Sequence, residues 1–241
     1  MVVIGSIRKL ANRVVDSLPR PWQETYHRIR LSILATGRGL MVRLVRFTFQ
    51  GHSLRYFHHP YNETWVHERA IEVPIVKMAT DEYSPDQILE VGNVLSHYFP
   101  VRHTIVDKYE ESCRVLNEDV VDYAPSRTFQ LIISISTLEH VGWDELPRDI
   151  EKVDQAVTNL KRLLAHDGTL LVTVPLGHNL YLDKRLIEGP PLFEKQFYCR
   201  RTSQLNLWEE AGKEEVRLAR YGSPYPFANG LVIGVCGPVP F

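Results

Sequence analysis

The sequence predicts an α/β fold in which a largely parallel sheet carries helices on both faces and closes with an antiparallel hairpin. Three observations lead to it. From Gln87 onward, short β-rich runs alternate with segments of helical period. The stretch Phe129 to Ile135 is apolar almost throughout, as a strand buried on both faces requires. At 241 residues and 44% hydrophobic side chains, the chain can bury one substantial core, so a single domain with an appendage is expected over two equal domains.

The elements follow in order. Ile7, Leu10, Val14 and Leu18 recur at helical spacing and stop before Pro19 and Pro21, and a second helix is expected from Trp22 to Ala35. Met41 to Phe49 satisfies neither period, so strand and basic helix both stay open there. Residues 1–62 read as a basic, partly helical appendage and residues 63–241 as the main domain. Ile88 to Val91 is the first strand of the sheet and His103 to Val106 the second. A short third strand falls near Cys113 to Leu116, and Phe129 to Ile135 follows.

Ile150, Val153, Val157, Leu160, Leu163 and Leu164 form a helical stripe between Asp149 and Ala165, stopped by Asp167-Gly168. Thr169 to Val174 is the next strand, ended by Pro175. Thr202 can cap a helix running to Ala211 before Gly212. Glu215 to Ala219 and Leu231 to Cys236 then read as the strands of a closing hairpin.

Charge and cysteine content exclude several classes. The formal net charge of -1 gives no general attraction to nucleic acid. It conceals a basic start, with Arg8, Lys9, Arg13, Arg20, Arg28, Arg30, Arg38, Arg43 and Arg46 against Asp16 and Glu24. That arm reads as a solvated helix, with contact to a lipid-phosphate or a membrane surface as the alternative. Cys113, Cys199 and Cys236 are few and far apart, which suits a reducing, cytoplasmic setting. Charged residues interrupt every apolar run long enough to be a signal or a membrane span.

Ile88-Leu89-Glu90-Val91-Gly92, Ile105-Val106-Asp107, Phe129 to Val141 and the helix-Gly-strand-Pro unit from Leu160 to Pro175 occur in one order at consistent spacing. Over roughly residues 87 to 236, this set resembles the class I S-adenosylmethionine-dependent methyltransferases, in particular a compact bacterial branch linked with sugar or cell-surface polysaccharide modification. The resemblance implies a Rossmann-like, seven-stranded sheet, S-adenosylmethionine as cofactor, and transfer of its methyl group to a hydroxyl of a small molecule, sugar or glycan. A noncatalytic cofactor-binding subunit is the alternative. A nicotinamide-dependent oxidoreductase is disfavoured, because Gly-x-Gly-x-x-Gly is absent after the first strand.

In such a sheet the loops leaving the carboxyl ends of neighbouring strands enclose the ligand. The resemblance implies that Gly92 and Asn93 cradle the amino-acid part of the cofactor. Glu90 would organise its ammonium, or else cap nearby amides. Asp107 would accept both ribose hydroxyls, with Lys108 beside it. Asp119 and Val120 would meet the adenine, Asp122 being the rival. Ser134 and Ser136 belong to the segment whose carbonyls face the ammonium.

His140 is the candidate base, its ordinary pKa lying near physiological pH; a structural role is the alternative. Glu139, Trp143, His178 and Tyr181 are candidate acceptor contacts, aromatic faces and polar groups being what carbohydrate binding uses. No metal is expected, since Ser136 stands where a further carboxylate would be needed beside Glu139 and His140. Assembly of identical copies stays open.

Two departures from the family pattern bear on the site. Val94 and Ser96 occupy the later glycine positions of the loop, and a β-branched Val94 cannot readily adopt positive φ, so a different loop path is expected. The short interval from Asp107 to Asp119 leaves room for only a turn where a helix is usual.

Overall fold

The computed structural model describes residues 45–241, which form one compact unit. The two N-terminal helices expected before residue 36 lie outside the described residues, as does most of the basic arm.

An antiparallel ribbon comes first, β1 (Arg46–Phe49) and β2 (His52–Arg55), so the described end of the segment Met41 to Phe49 is a strand and its start lies outside the described residues. Helix α1 (Arg69–Thr80) follows, although Pro74 sits inside it. Proline has no N–H to donate to the carbonyl four residues back. That carbonyl, of Ala70, accepts instead from the Phe57 amide at 2.8 Å, which ties the segment after β2 to the helix.

The main sheet has eight strands in the order β5-β4-β3-β6-β7-β10-β8-β9. They are β3 (Ile88–Val91), β4 (Thr104–Val106), β5 (Val115–Leu116), β6 (Phe129–Ile135), β7 (Leu164–Pro175), β8 (Lys195–Arg201), β9 (Trp208–Ala211) and β10 (Gly230–Cys236). Strands β3 to β7 pair in parallel, and β10 runs antiparallel between β7 and β8. Seven of them make the expected Rossmann-like sheet, and β9 adds an eighth at the edge.

Helices cover both faces. On one, α2 (Lys152–Arg162) and α3 (Leu180–Ile187) bury Val153, Val157, Leu160, Leu182 and Leu186 against Leu89, Ile132, Leu170, Val172 and Val232. Each such side chain contributes about 1.5–3 kcal/mol of burial. Alternate strand residues point the other way, where α1 packs on β6 and Glu72 reaches Thr173 of β7.

Two expected elements are corrected. The helix from Thr202 to Ala211 is a turn followed by β9. Leu205, Trp208 and Ala211 have a helical spacing, yet Leu205 is exposed, and the Trp208 amide donates to Tyr56 Oη at 2.7 Å while β9 pairs with β8. The strand from Glu215 to Ala219 is instead a short helical turn, α4 (Lys213–Val216). Glu215 Oε2 accepts the Gly212 amide at 2.8 Å and so winds the backbone at its start. The antiparallel partner of β10 is therefore β8 on one side and β7 on the other.

The order of strands fixes where a ligand belongs. The chain leaves β3 outward through β4 and β5, then returns to the opposite side of β3 as β6. At that reversal the loops above β3 and β6 separate, which opens a crevice at the carboxyl edge of the sheet.

Candidate functional site

A cavity of about 430 Å³ occupies the crevice, within the usual range for small-molecule sites. Its wall includes Gly92, Asn93, Asp107, Lys108, Asp119, Val120, Ser136 and His140, all of them expected from the sequence. Tyr109, Glu110, Thr137 and Glu145 also line it.

Gly92 ends β3 with φ +84°, a conformation that a side chain would strain. Val94 keeps φ at −107°, and the chain turns at once into a 3-10 segment at Leu95–His97. This is the different path that its β-branched side chain demands. Glu90 stands behind the loop, fully buried, with Oε1 accepting the Val94 and Leu95 amides at 2.9 and 2.7 Å. Its Oε2 lies 2.6 Å from His103 Nε2. Both oxygens are engaged, so Glu90 shapes the loop and does not line the cavity.

Asp107 follows β4. Its Oδ1 accepts the Tyr109 and Glu110 amides, each at 2.8 Å, and its Oδ2 takes only the longer bond from the Asn93 amide at 3.3 Å. Those bonds close the turn that replaces a helix between β4 and β5. Oδ2 keeps accepting capacity, and Asp107 lines the cavity.

Asp119 is held differently from the expectation. Lys108 and Lys152 reach its Oδ2 at 3.0 and 2.5 Å, and they also reach Glu145 Oε2 at 2.8 and 2.6 Å. Partial burial works to raise both carboxyl pKa values, but the two ammonium groups outweigh it and hold them below the ordinary range. Lys108 thus belongs to a four-charge clasp on the cavity wall. Glu145 and Lys152 escaped sequence reasoning, since nothing in the 25 residues between Asp119 and Glu145 marks them as partners.

A second cavity, of about 280 Å³, abuts the first and shares Ser136 and His140 with it. Its other walls include Glu68, Arg69, Glu139, His178, Tyr221 and Phe227. Ser136 follows β6 with φ +39°, an unusual backbone for a side chain other than glycine, and strain of this kind concentrates at functional sites. Hydrogen bonds fix it there: its amide donates to the Thr173 carbonyl at 3.0 Å, and its hydroxyl to Glu72 Oε1 at 2.6 Å. Glu72 also accepts from Thr173 Oγ1 at 2.7 Å and pairs with Arg69.

Glu139 is buried in this cavity's wall, and its Oε2 has no hydrogen-bond partner among the described residues. Burial raises its pKa well above the ordinary value, and Glu72 and Glu68 add to the effect, against its own amide and Arg69. Asn179, the N-cap of α3, donates to the Glu139 carbonyl at 3.0 Å and accepts from the Leu182 amide at 3.0 Å. An Asn just before an apolar helical run is a readable cap signal, though its second bond is not.

His140 is half-exposed. Its Nδ1 lies 2.5 Å from Asp144 Oδ2, and its Nε2 lies 3.7 Å from Glu139 Oε1. His178 Nε2 approaches the same Asp144 oxygen at 3.3 Å. One polar atom from each of His140, Asp144 and His178 falls within 4.8 Å of the others, and Asp144 holds both rings as a hydrogen-bonded triad.

Besides Glu90, three expected residues stand apart from both cavities. Ser134 is inside β6, its hydroxyl buried and without a partner among the described residues. Trp143 stacks under Arg148, whose guanidinium carbon is 4.3 Å from the ring centroid. Tyr181 faces α2 and bonds Asp154.

No family profile matches the chain, and no curated protein does. Solved structures do. The N-methyltransferase NodS from Bradyrhizobium japonicum WM9, in complex with S-adenosyl-L-homocysteine, is 13% identical over 71% of this chain and 88% of its own, with a TM-score of 0.45. A TehB-like SAM-dependent methyltransferase from Corynebacterium glutamicum is 14% identical over 68% of this chain and 87% of its own, at 0.41. The sugar N-methyltransferase KedS8 from Streptoalloteichus sp. is 12% identical over 68% and 85%, at 0.34. At such identities and scores, the likeness adds nothing to what the strand order establishes. That order gives this chain a doubly wound, Rossmann-like α/β fold with a cavity at its reversal point.

Proposed function

We propose that the chain is an S-adenosylmethionine-dependent methyltransferase acting on a small-molecule acceptor, with a sugar or glycan as the candidate class. The observation that carries the reading is the junction of two cavities through Ser136 and His140. A two-substrate transfer needs the reacting groups side by side, and adjoining sites supply that alignment.

The first cavity suits the cofactor. Gly92 lets backbone approach closely, Asp107 Oδ2 can accept hydroxyl hydrogens, and Val91, Val106, Val120 and Val141 offer apolar surface for a flat ring. When bound there, the sulfonium supplies an already activated methyl group. The chain's own work is then to orient, to keep water out and to manage the acceptor's proton.

Calorimetric titration with S-adenosylmethionine, S-adenosylhomocysteine and nicotinamide nucleotides tests this. Binding of the first two alone is expected. Asp107→Ala should weaken S-adenosylhomocysteine by about 1.5–3 kcal/mol, the scale of charge-assisted hydrogen bonds. Binding of nicotinamide nucleotides, or of none of these, would overturn the proposal, and binding without methyl transfer to any acceptor would favour a noncatalytic subunit.

A further inference from the structure

The second cavity is surrounded by more negative than positive charge. Glu68 and Glu139 line it, and Glu72 lies just behind Ser136, whereas Arg69 is the only lysine or arginine on its wall among the described residues and is already paired with Glu72. His67 is occupied too, its Nε2 2.6 Å from the Asn62 carbonyl oxygen. His178 and His140 turn toward Asp144. Tyr221 reports the same field. Burial raises the pKa of its phenol, and Glu68, Glu139 and Glu72 raise it further.

From this arrangement we infer that the acceptor is an amine, bound in the second cavity as its ammonium and held by Glu139. The inference rests on the methyl-transfer reading. A buried carboxyl oxygen without a partner among the described residues, beside the residues common to both cavities, is an acceptor waiting for a donor. An anionic acceptor would be repelled by Glu68 and Glu139. A neutral hydroxyl could occupy Oε2 but would leave the surplus negative charge uncompensated, whereas an ammonium satisfies both.

Burial also equips the Glu139 carboxylate for the next step, because it raises the pKa of the group and so favours taking up a proton. An ammonium must shed a proton before its nitrogen can attack. The N–H bond breaks with its proton passing to Glu139 Oε2 and its electron pair staying on nitrogen. That pair forms the N–CH3 bond as the S–CH3 bond breaks, and the electrons of the broken bond remain on sulfur. His140, half-exposed and 3.7 Å from Glu139 Oε1, offers the proton a way to solvent.

The test uses the whole chain saturated with S-adenosylhomocysteine and a matched pair of probes, cyclohexylamine and cyclohexanol, titrated by calorimetry. The amine is expected to bind at least about tenfold tighter than the alcohol, the scale of one charge-assisted bond. Glu139→Gln should abolish that preference and leave S-adenosylhomocysteine affinity unchanged, and Glu139→Asp should restore part of it. Equal or stronger binding of the alcohol, a preference that survives in Glu139→Gln, or no binding of the amine in the millimolar range would overturn the inference. Failure of S-adenosylhomocysteine itself to bind would instead overturn the methyl-transfer reading, so the two failures are distinct.

Discussion

Gly92 faces Thr137 so closely that a Cβ on the glycine would lie 2.1 Å from Thr137 Oγ1 and 2.9 Å from Thr137 Cβ. The loops above β3 and β6 thus touch backbone to side chain at the floor of the first cavity.

Gly92→Ala should therefore lower both stability and cofactor affinity. Positive φ alone costs an alanine about 1–2 kcal/mol. Overpacking adds about 1–3 kcal/mol. Adding Thr137→Ala removes the Oγ1 and Cγ2 clashes but neither the Cβ contact nor the strain, so it should recover only part of the loss. Urea denaturation of the single and double variants measures this, and full recovery would show that the backbone conformation at Gly92 is unimportant.

His140→Ala should slow turnover more than it weakens S-adenosylhomocysteine binding, because the imidazole borders both cavities and is oriented by Asp144. Single-turnover rates set beside calorimetric affinities separate the two effects. Equal losses would mean that the ring only supports the loop.

Asp183, on α3, gives a pH signature. Burial raises its pKa to about 6, against the opposing Gly177 amide and His178. One oxygen accepts from Gly177 at 2.9 Å, and the other is buried without a partner among the described residues. The folded state thus binds this proton more tightly than the unfolded chain does. The stability it contributes is complete below the unfolded pKa, near 4, and is lost as pH rises through about 6. Asp183→Asn should gain on the parent chain as pH rises from about 4 to about 6, and the gain should level off above that, in thermal melts. A pH-independent difference would contradict the assignment.

Gly234, at the middle of β10, makes room for Phe193. A Cβ there would lie 2.3 Å from Phe193 Cδ2. Gly234→Ala should cost about 1–3 kcal/mol, and Phe193→Ala about 3–5 kcal/mol. Gly234→Ala with Phe193→Leu should cost less than the sum of the two separate changes, since both act on one contact. Additive melting shifts would show that the ring does not depend on the glycine.

The centre of the sheet was legible because its strands must be apolar on both faces. Ile88 to Val91 and Phe129 to Ile135 match β3 and β6 to the residue. The edges were not. In β8, Lys195 to Arg201, charged residues flank a short aromatic centre, so the strand lacks a buried run. Around β9, an exposed Leu205 mimics a helical stripe. Pro74 argues against a helix at α1 until the Phe57 amide is seen to take up the freed carbonyl.

For the site, the strand-end residues could be placed because topology alone carries them to one edge. Gly92, Asp107, Asp119 and Ser136 meet there as expected. The second cavity was only half readable. His178 and Glu139 were in view, but Glu68, Tyr221 and Phe227 reach it from segments distant in the chain and carry no local pattern. The clasp formed by Lys108, Lys152, Asp119 and Glu145 likewise depends on folding to bring its charges together.

The Glu72 carboxylate gives the molecule a border that its strands do not reveal. A chain begun at residue 85 would still contain every strand from β3 to β10, yet Ser136 and Thr173 would each lose the oxygen to which they donate. The smallest piece able to retain the sheet is thus shorter than the smallest able to retain the chemistry, and the difference is a helix that comes before the first parallel strand.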